Sequence, residues 1–191
     1  MVGLILASGR GLRFDATGSR EKLLQVLGDG RPVVRAATES FCLVLPRVLV
    51  VVREDSDGIR RALAGLPVEW AENPNAAQGM ATSIAQGVLA SRDARAWLIG
   101  LADMPFVTTQ TIRSVAQVAV GNTNAIAAPF YGGERGHPVG FGCGHLEALK
   151  ALTGDQGART LLKDGAVELV SVPDSGILRD IDTPQDLEGS R

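Results

Sequence analysis

The sequence predicts an α/β fold with a mostly parallel central sheet flanked by helices. Three observations predict it. Continuous apolar runs at residues 2–7 (VGLILA), 47–52 (RVLVVV) and 96–101 (AWLIGL) have the character of strands buried on both faces. Helical stretches separate these runs, and alternating β and α elements belong to a parallel sheet with crossover helices. No repeat, low-complexity tract or long linker interrupts the 191 residues, so one domain spanning 1–191 is expected.

The elements follow in order. Pro32 opens a helix through Cys42, with Val33, Val34, Ala37 and Phe41 on one side. After the strand at 47–52 comes a helix at 57–64, closed by Gly65, and a short strand at 68–71. Residues 79–90 read as a helix leading to the strand at 96–101, and 109–120 as the next helix. Segments 124–130 and 137–141 flank Tyr131-Gly132-Gly133-Glu134-Arg135-Gly136, a small antiparallel hairpin or long turn. Short helices near 145–151 and 157–163, strands near 167–172 and 178–181, and a last helix from Pro184 complete the chain.

Composition narrows the function. The net charge of −2 argues against non-specific nucleic-acid binding, which calls for a basic face. A chain of this size buries roughly 70% of its unfolded surface, enough for a core without disulfide or metal. Cys42 and Cys143 have no metal-binding spacing and read as small buried residues of a reducing compartment. The apolar start is too short for a membrane span and lacks the basic beginning of a signal peptide. A cytoplasmic protein is expected.

Ligands of parallel α/β sheets bind beyond the carboxyl ends of the strands. After the first strand comes Ala7-Ser8-Gly9-Arg10-Gly11-Leu12-Arg13-Phe14, with Lys22 further on. Small residues let backbone N–H groups approach a polyphosphate, and Arg13 and Lys22 bring positive charge. A dinucleotide fingerprint would need glycine at Phe14, and no Gly-Lys-Ser/Thr of a Walker loop occurs. The alternative is a plain glycine-rich turn with solvated basic side chains.

Asp103 follows the strand at 96–101 and would be stranded there without a partner. Mg²⁺ suits it, taking one or two carboxylates plus substrate phosphates; a helix cap or salt bridge is the alternative. In Arg179-Asp180-Ile181-Asp182-Thr183-Pro184, residues two apart face one side of an extended segment. Asp180 and Asp182 can then both face the site while Ile181 enters the core. Alternatively, Asp182 or Thr183 caps the helix that begins at Pro184. Asn73 and the run Gly79-Met80-Ala81-Thr82-Ser83 lead into a helix N-terminus suited to a base, ribose or phosphate. Arg135-Gly136-His137 and the turn carrying Asp155 suit an acidic acceptor, although a lone His is more often structural. His145 is given no role.

Together, LILASGRGLRF…KLL, NAAQGMATSIAQGV, LIGLADMPFV, RGHPVGF, LTGDQGARTLL and DIDTPQDL resemble, in the same order, the molybdenum cofactor cytidylyltransferases and related nucleotidyltransferases. The resemblance spans essentially the whole chain. It implies a Rossmann-like nucleotidyltransferase fold and transfer of CMP from CTP to a molybdopterin-type cofactor, with release of pyrophosphate. Mg²⁺ would be held by Asp103 and by the acids of DIDTP, chiefly Asp182, with Asp180 as a further ligand. Arg13, Lys22 and Asp103 would carry catalysis. Leu6, Ala7, Ser8, Gly9, Arg10 and Gly11 would surround the nucleotide, together with Asn73, Gly79 and Ser83. Met80, Arg135, Gly136, His137 and Asp155 would meet the acceptor. A molybdenum hydroxylase is the implied downstream partner.

The chain departs from the family pattern at three places. Ala7-Ser8-Gly9 stands between the Ala-Ala-Gly of cytosine users and the Ala-Gly-Gly of guanine users, closer to the former. Arg13-Phe14-Asp15 and residues 16–21 replace a shorter Arg-Met-Gly link to the lysine, which brings a carboxylate near the phosphates. Gly140 replaces a bulky apolar residue, an exchange expected to enlarge the acceptor pocket. Gly140 and the altered loop open the reading of a sugar- or polyol-phosphate acceptor, and the irregular first loop that of a non-catalytic cofactor carrier.

Overall fold

The computed structural model describes residues 1–9, 11, 13–15, 20–154, 157–164 and 166–188. Four strands, β1 (Val2–Leu6), β2 (Val48–Val52), β3 (Val68–Glu72) and β4 (Ala96–Leu101), pair in parallel in the order β3-β2-β1-β4. β5 (Ile126–Tyr131), β6 (Glu134–Arg135) and β7 (Val139–Gly142) extend the sheet. β7 lies between β4 and β5, antiparallel to both, and β8 (Val167–Ser171) pairs in parallel with β5. The architecture is α/β with a mostly parallel sheet.

Two layers of helix cover the sheet because successive residues of a strand face opposite sides. On one face Ile5, Val50 and Leu98 pack with Val34 and Phe41 of α1 (Val33–Cys42) and with Ile112 and Val115 of α4 (Thr109–Gly121). Ile59 of α2 (Asp57–Ala62) joins them. On the other face Leu4, Leu49 and Trp97 pack with Ile84 and Val88 of α3 (Met80–Ala90) and with Leu149 of α5 (Leu146–Lys150). The buried Trp97 indole N–H donates to Ser91 Oγ at 3.0 Å, so its one polar atom is satisfied. α6 (Arg159–Asp164) and α7 (Pro184–Glu188) complete the helices.

The segment 131–136 resolves into a tight hairpin. β5 turns through Gly132 and Gly133, both at positive φ, and pairs with β6. Such a two-residue turn is open to glycine at little steric cost. β7 pairs with β5 further back, at Ile126 and Ala127.

Residues 178–181 do not form the expected strand. Asp174, buried, accepts hydrogen bonds from Thr108 N, Thr108 Oγ1, Thr111 Oγ1 and Gly176 N, at 2.6–3.0 Å. These bonds wind Ser175–Leu178 into a 3-10 turn tied to the start of α4. The chain then runs alongside the end of β4, with Ile181 N donating to the Asp103 carbonyl at 2.9 Å. Both cysteines are free and partly exposed rather than buried, because Cys42 ends α1 and Cys143 opens the turn Cys143–His145. His145 Nε2 contacts the Asn124 carbonyl, and its ring stands edge-on to Phe141. No helix of the described residues is long and apolar enough to cross a membrane.

Replacing Asp174 by Ala strands several buried donors at once. We expect a loss of about 2–3 kcal/mol of stability, the scale of charged hydrogen bonds in a buried setting, measured by urea denaturation. An unchanged midpoint would refute this account of the turn.

Candidate active site

The strand ends bring the sequence-predicted residues to one edge of the sheet. β1 leaves at Leu6 and continues the ladder, with Ala7 N donating to the Val51 carbonyl at 2.8 Å and Ala102 N to the Leu6 carbonyl at 3.2 Å. Asp103 therefore sits one residue beyond the last link of β4 to β1. The bond from Ile181 N to the Asp103 carbonyl brings Asp182 alongside it. Ile181 is fully buried, while Asp180 and Asp182 face the same cleft.

Lys22 closes this arrangement. It opens the 3-10 turn Lys22–Leu24, anchored by the buried Leu23. Its Nζ donates to Asp103 Oδ2 at 2.7 Å and to Asp182 Oδ1 at 2.9 Å, with the side chain only 11% exposed. Arg13, largely solvent-exposed, donates from Nη1 to Asp182 Oδ2 at 3.0 Å. Burial alone would lower the Lys22 ammonium, but the Asp103 carboxylate and then Asp182 outweigh it, so its pKa is raised. The Lys22 hydrogen bond holds Asp182 below the ordinary carboxylate value, with Arg13 adding to it. Asp180 moves the other way, raised first by burial and then by the charges of Asp182 and Asp103. Asp103 Oδ1 is buried and has no hydrogen-bond partner among the described residues.

The capping alternative is answered by Asp186, not Asp182. Asp186 Oδ2 accepts from Asp182 N, Thr183 N and Thr183 Oγ1, at 2.7–3.0 Å. A side chain inside the first turn thus reaches back to the N–H groups ahead of α7, which leaves the Asp182 carboxylate for Lys22 and Arg13.

Two cavities meet at this point. The smaller, about 210 Å³, is lined by Ser8, Gly9, Ala76, Gly79 and Ser83. The larger, about 620 Å³, is lined by Arg13, Arg135, Gly136, His137, Asp180 and Asp182, with an apolar wall that includes Ile84, Ile99, Val139 and Phe141. Leu6, Met80, Leu101 and Asp103 line both. Asp103 stands at the boundary, where a group passing from one cavity to the other would cross.

Behind the smaller cavity lies a buried polar network. Ser8 Oγ and Ser83 Oγ are 2.6 Å apart, and Asn73 Nδ2 donates to Ser83 Oγ and to Thr82 Oγ1, each at 2.9 Å. Asn73, expected at the nucleotide, is buried, supports Ser83, and lines a separate cavity with Asn75, Gln78 and Thr82 rather than the smaller of these two. Ala7 is fully buried and contributes backbone alone. Gly11 lies against the Lys22 stem. Arg10 and Asp155 lie outside the described residues. Asp15 accepts from Arg20 N at 2.8 Å and so is engaged within its own loop. The buried Phe14 beside it lies under the Arg20 guanidinium.

Two expectations on the acceptor side change. A side chain at Gly140 would meet Ala119 of α4 at 2.6 Å, not the cleft. Gly140 therefore admits α4 to the sheet and does not enlarge the pocket. Gly136 is needed for close approach, since a Cβ there would fall 2.2 Å from the Ile177 carbonyl oxygen. His137 N donates to that same carbonyl at 3.1 Å. The RGHPV segment therefore also braces the run that carries Asp180 and Asp182. The sequence reading did not single out Arg159, which lines the larger cavity, or Arg53, whose contacts lie at the base of the first loop.

The profile of the MobA-like NTP transferase domain matches residues 3–171. The chain belongs to this family. The purine catabolism protein PucB of Bacillus subtilis (strain 168) is 28% identical over 98% of this chain and 94% of its own. Two solved structures share the fold of this MobA-like domain. A nucleotidyl transferase from Methanothermobacter (Mth528) has a TM-score of 0.83 at 21% identity, covering 97% of this chain and 93% of its own. Rv0371C of Mycobacterium tuberculosis H37Rv, solved in complex with manganese, has a TM-score of 0.77 at 23% identity, covering 98% and 96%. The family's chemistry is nucleotidyl transfer.

His137 supplies a pH signature that needs no substrate. Burial, then the positive charges of Arg135 and Arg159, hold its pKa below the ordinary 6.5, against the pull of Asp103. The unfolded chain takes up a proton below that value while the native state does not. Stability contributed by the neutral ring is thus present above pH 6.5 and falls as pH drops towards the lowered native value. His137→Gln should show a flatter loss of stability between pH 7 and pH 5 than wild type, read by chemical denaturation. Parallel profiles would show that His137 titrates as in the unfolded chain.

Proposed function

We propose that the protein transfers CMP from CTP to a molybdopterin-type cofactor, releases pyrophosphate, and uses Mg²⁺ as its resident cation. The observation that carries this reading is the meeting of Asp103, Asp182 and Lys22 at the wall between two cavities. One cavity would take the nucleotide and the other the acceptor.

The residues fit a hard divalent cation. A buried carboxylate oxygen without a partner, Asp103 Oδ1, is costly unless something is bound to it. Among the described residues no group of three His, Cys, Asp or Glu is arranged to hold a metal ion. A hard cation bound by two carboxylates draws its remaining ligands from phosphates and water. Asp103 and Asp182 would hold it, with Asp180 close by. When bound, Mg²⁺ would supply charge neutralisation at the phosphates. The manganese complex of the M. tuberculosis structure is in keeping with a divalent cation in this fold.

The chain's own part is electrostatic and positional. Ser8, Gly9 and Gly11 would bring the backbone to the triphosphate, and Ser8 and Ser83 would narrow the base side. Lys22 and Arg13 would exchange their carboxylate partners for phosphate oxygens, an exchange of one anion for another within the same few ångströms. An oxygen of the acceptor's phosphate would attack the α-phosphorus while the bond to the leaving pyrophosphate breaks. Preorganised positive charge favours that step. Arg135, His137 and Met80 would orient the acceptor. A cavity of about 620 Å³ has room for a bulky tricyclic one. The product would pass to a molybdenum hydroxylase.

Purified protein with Mg²⁺, each nucleoside triphosphate and a panel of phosphorylated acceptors should release pyrophosphate fastest with CTP and molybdopterin. Faster turnover of a sugar or polyol phosphate would replace the acceptor. No release from any pair, by folded protein, would remove the transferase reading. Asp103→Ala should lose about 10²–10³-fold in turnover, the scale of a lost electrostatic contact in a dry site, while staying folded. Unimpaired delivery of cofactor by that variant, without turnover in the wild type, would instead mark a carrier. Lys22→Ala should weaken CTP binding by about 1–3 kcal/mol in calorimetry. Unchanged affinity would take Lys22 out of the nucleotide site.

A further inference from the structure

The first loop has to bridge from Gly9, at the smaller cavity, to Lys22, between the two carboxylates. One side chain outside the loop touches both of its ends. Arg53 leaves β2 with its carbonyl fixed by Ser56 Oγ at 2.7 Å, and Ser56 is fully buried. Its guanidinium donates from Nη1 to the Gly9 carbonyl at 3.2 Å and from Nη2 to Glu21 Oε1 at 3.2 Å. Nε donates to Asp55 Oδ1 at 2.6 Å. The side chain is 19% exposed. Glu21 in turn begins the lysine's turn, since its carbonyl accepts from Leu24 N at 3.1 Å and from Gln25 Nε2 at 2.9 Å.

We propose that Arg53 is a positioning residue for triphosphate binding, clamping the two ends of the first loop so that Lys22 is held at the strand-end acids. The inference rests on the nucleotide reading given above. Its physical basis is loop entropy: a segment whose two ends are pinned beforehand has less freedom to lose when a ligand orders it. A planar guanidinium can hold a backbone carbonyl and two carboxylates at once, which a lysine ammonium on the same stem would not match. None of the three contacts involves the hydrophobic core, so the loop ends can be released without dismantling the sheet.

The test uses Arg53→Met, Glu21→Gln and Arg53→Lys in the full chain. In the nucleotide-free protein, Arg53→Met and Glu21→Gln should lower the amide-exchange protection of Leu24 and Gln25, with the thermal midpoint nearly unchanged. Both should raise the Kd and KM for CTP about tenfold, roughly one charged hydrogen bond's worth of preordering, with kcat little altered. Arg53→Lys should recover part of the loss. The double variant Arg53→Met with Glu21→Gln should cost little more than either change alone, because the two act through one contact.

Wild-type protection at Leu24 and Gln25 in Arg53→Met overturns the proposal. So does wild-type CTP affinity in that variant, or a fall in kcat with KM unchanged. Should Arg53→Met fail to fold, Glu21→Gln and Arg53→Lys decide the matter by the same readouts. A wild-type protein that binds no nucleoside triphosphate would defeat the transferase reading instead, and exchange protection alone would then decide whether Arg53 clamps the loop.

Discussion

Carboxylates crowd the end of β4, and the Lys22 ammonium between Asp103 and Asp182 holds two of them together. Like charges at such a distance would repel, and burial sharpens the repulsion. The single backbone bond from Ile181 to Asp103 carries two remote parts of the chain to the same point. Lys22 then makes their proximity tolerable. The rest of the site depends on this: the placing of the first loop, the orientation of Asp182, and the boundary between the two cavities.

Around that ion pair the fold divides its work. The parallel strands β1 to β4 set the strand-end register and hence the depth of Asp103. The loop residues are set from outside, by Arg53 at the base and by Asp15 and Arg20 within. The segment after β8 is set by Asp174, which gathers the start of α4 and the 3-10 turn around one carboxylate. Asp174 is buried and Arg53 mostly so, each with its partners in place, so these two supports hold the geometry without ligand.

Much of this was legible in the sequence, and the reasons are specific. Residues 2–7, 47–52 and 96–101 announce buried strands because both faces of a parallel strand need apolar side chains. Asp103 stands out because a carboxylate just past such a run needs a partner. The alternation of Asp180, Ile181 and Asp182 foretells one buried residue between two acids that face the same cleft. The misreadings share a different cause. The run at 178–181 has strand-like composition, but Asp174 and Gly176 turn the chain before pairing can start. Gly140 is fixed by its contact with Ala119, 21 residues earlier, which no local pattern reports. Arg53 sits among other surface arginines and gains its meaning only from where Gly9 and Glu21 come to lie.

The two antiparallel pairings of β7 have a consequence of their own. On the β4 side of that strand, direction is uniform through β3, β2, β1 and β4, and the loops after β1 and β4 emerge from one rim. On the other side of that strand in the sheet, the β5–β6 hairpin, the residues that follow it and α6 form a separate margin, which carries Arg135, His137 and Arg159. Change confined to this margin leaves the rim of the parallel strands undisturbed. A fold with such a seam can vary one wall of the larger cavity while the acids at the end of β4 keep their places.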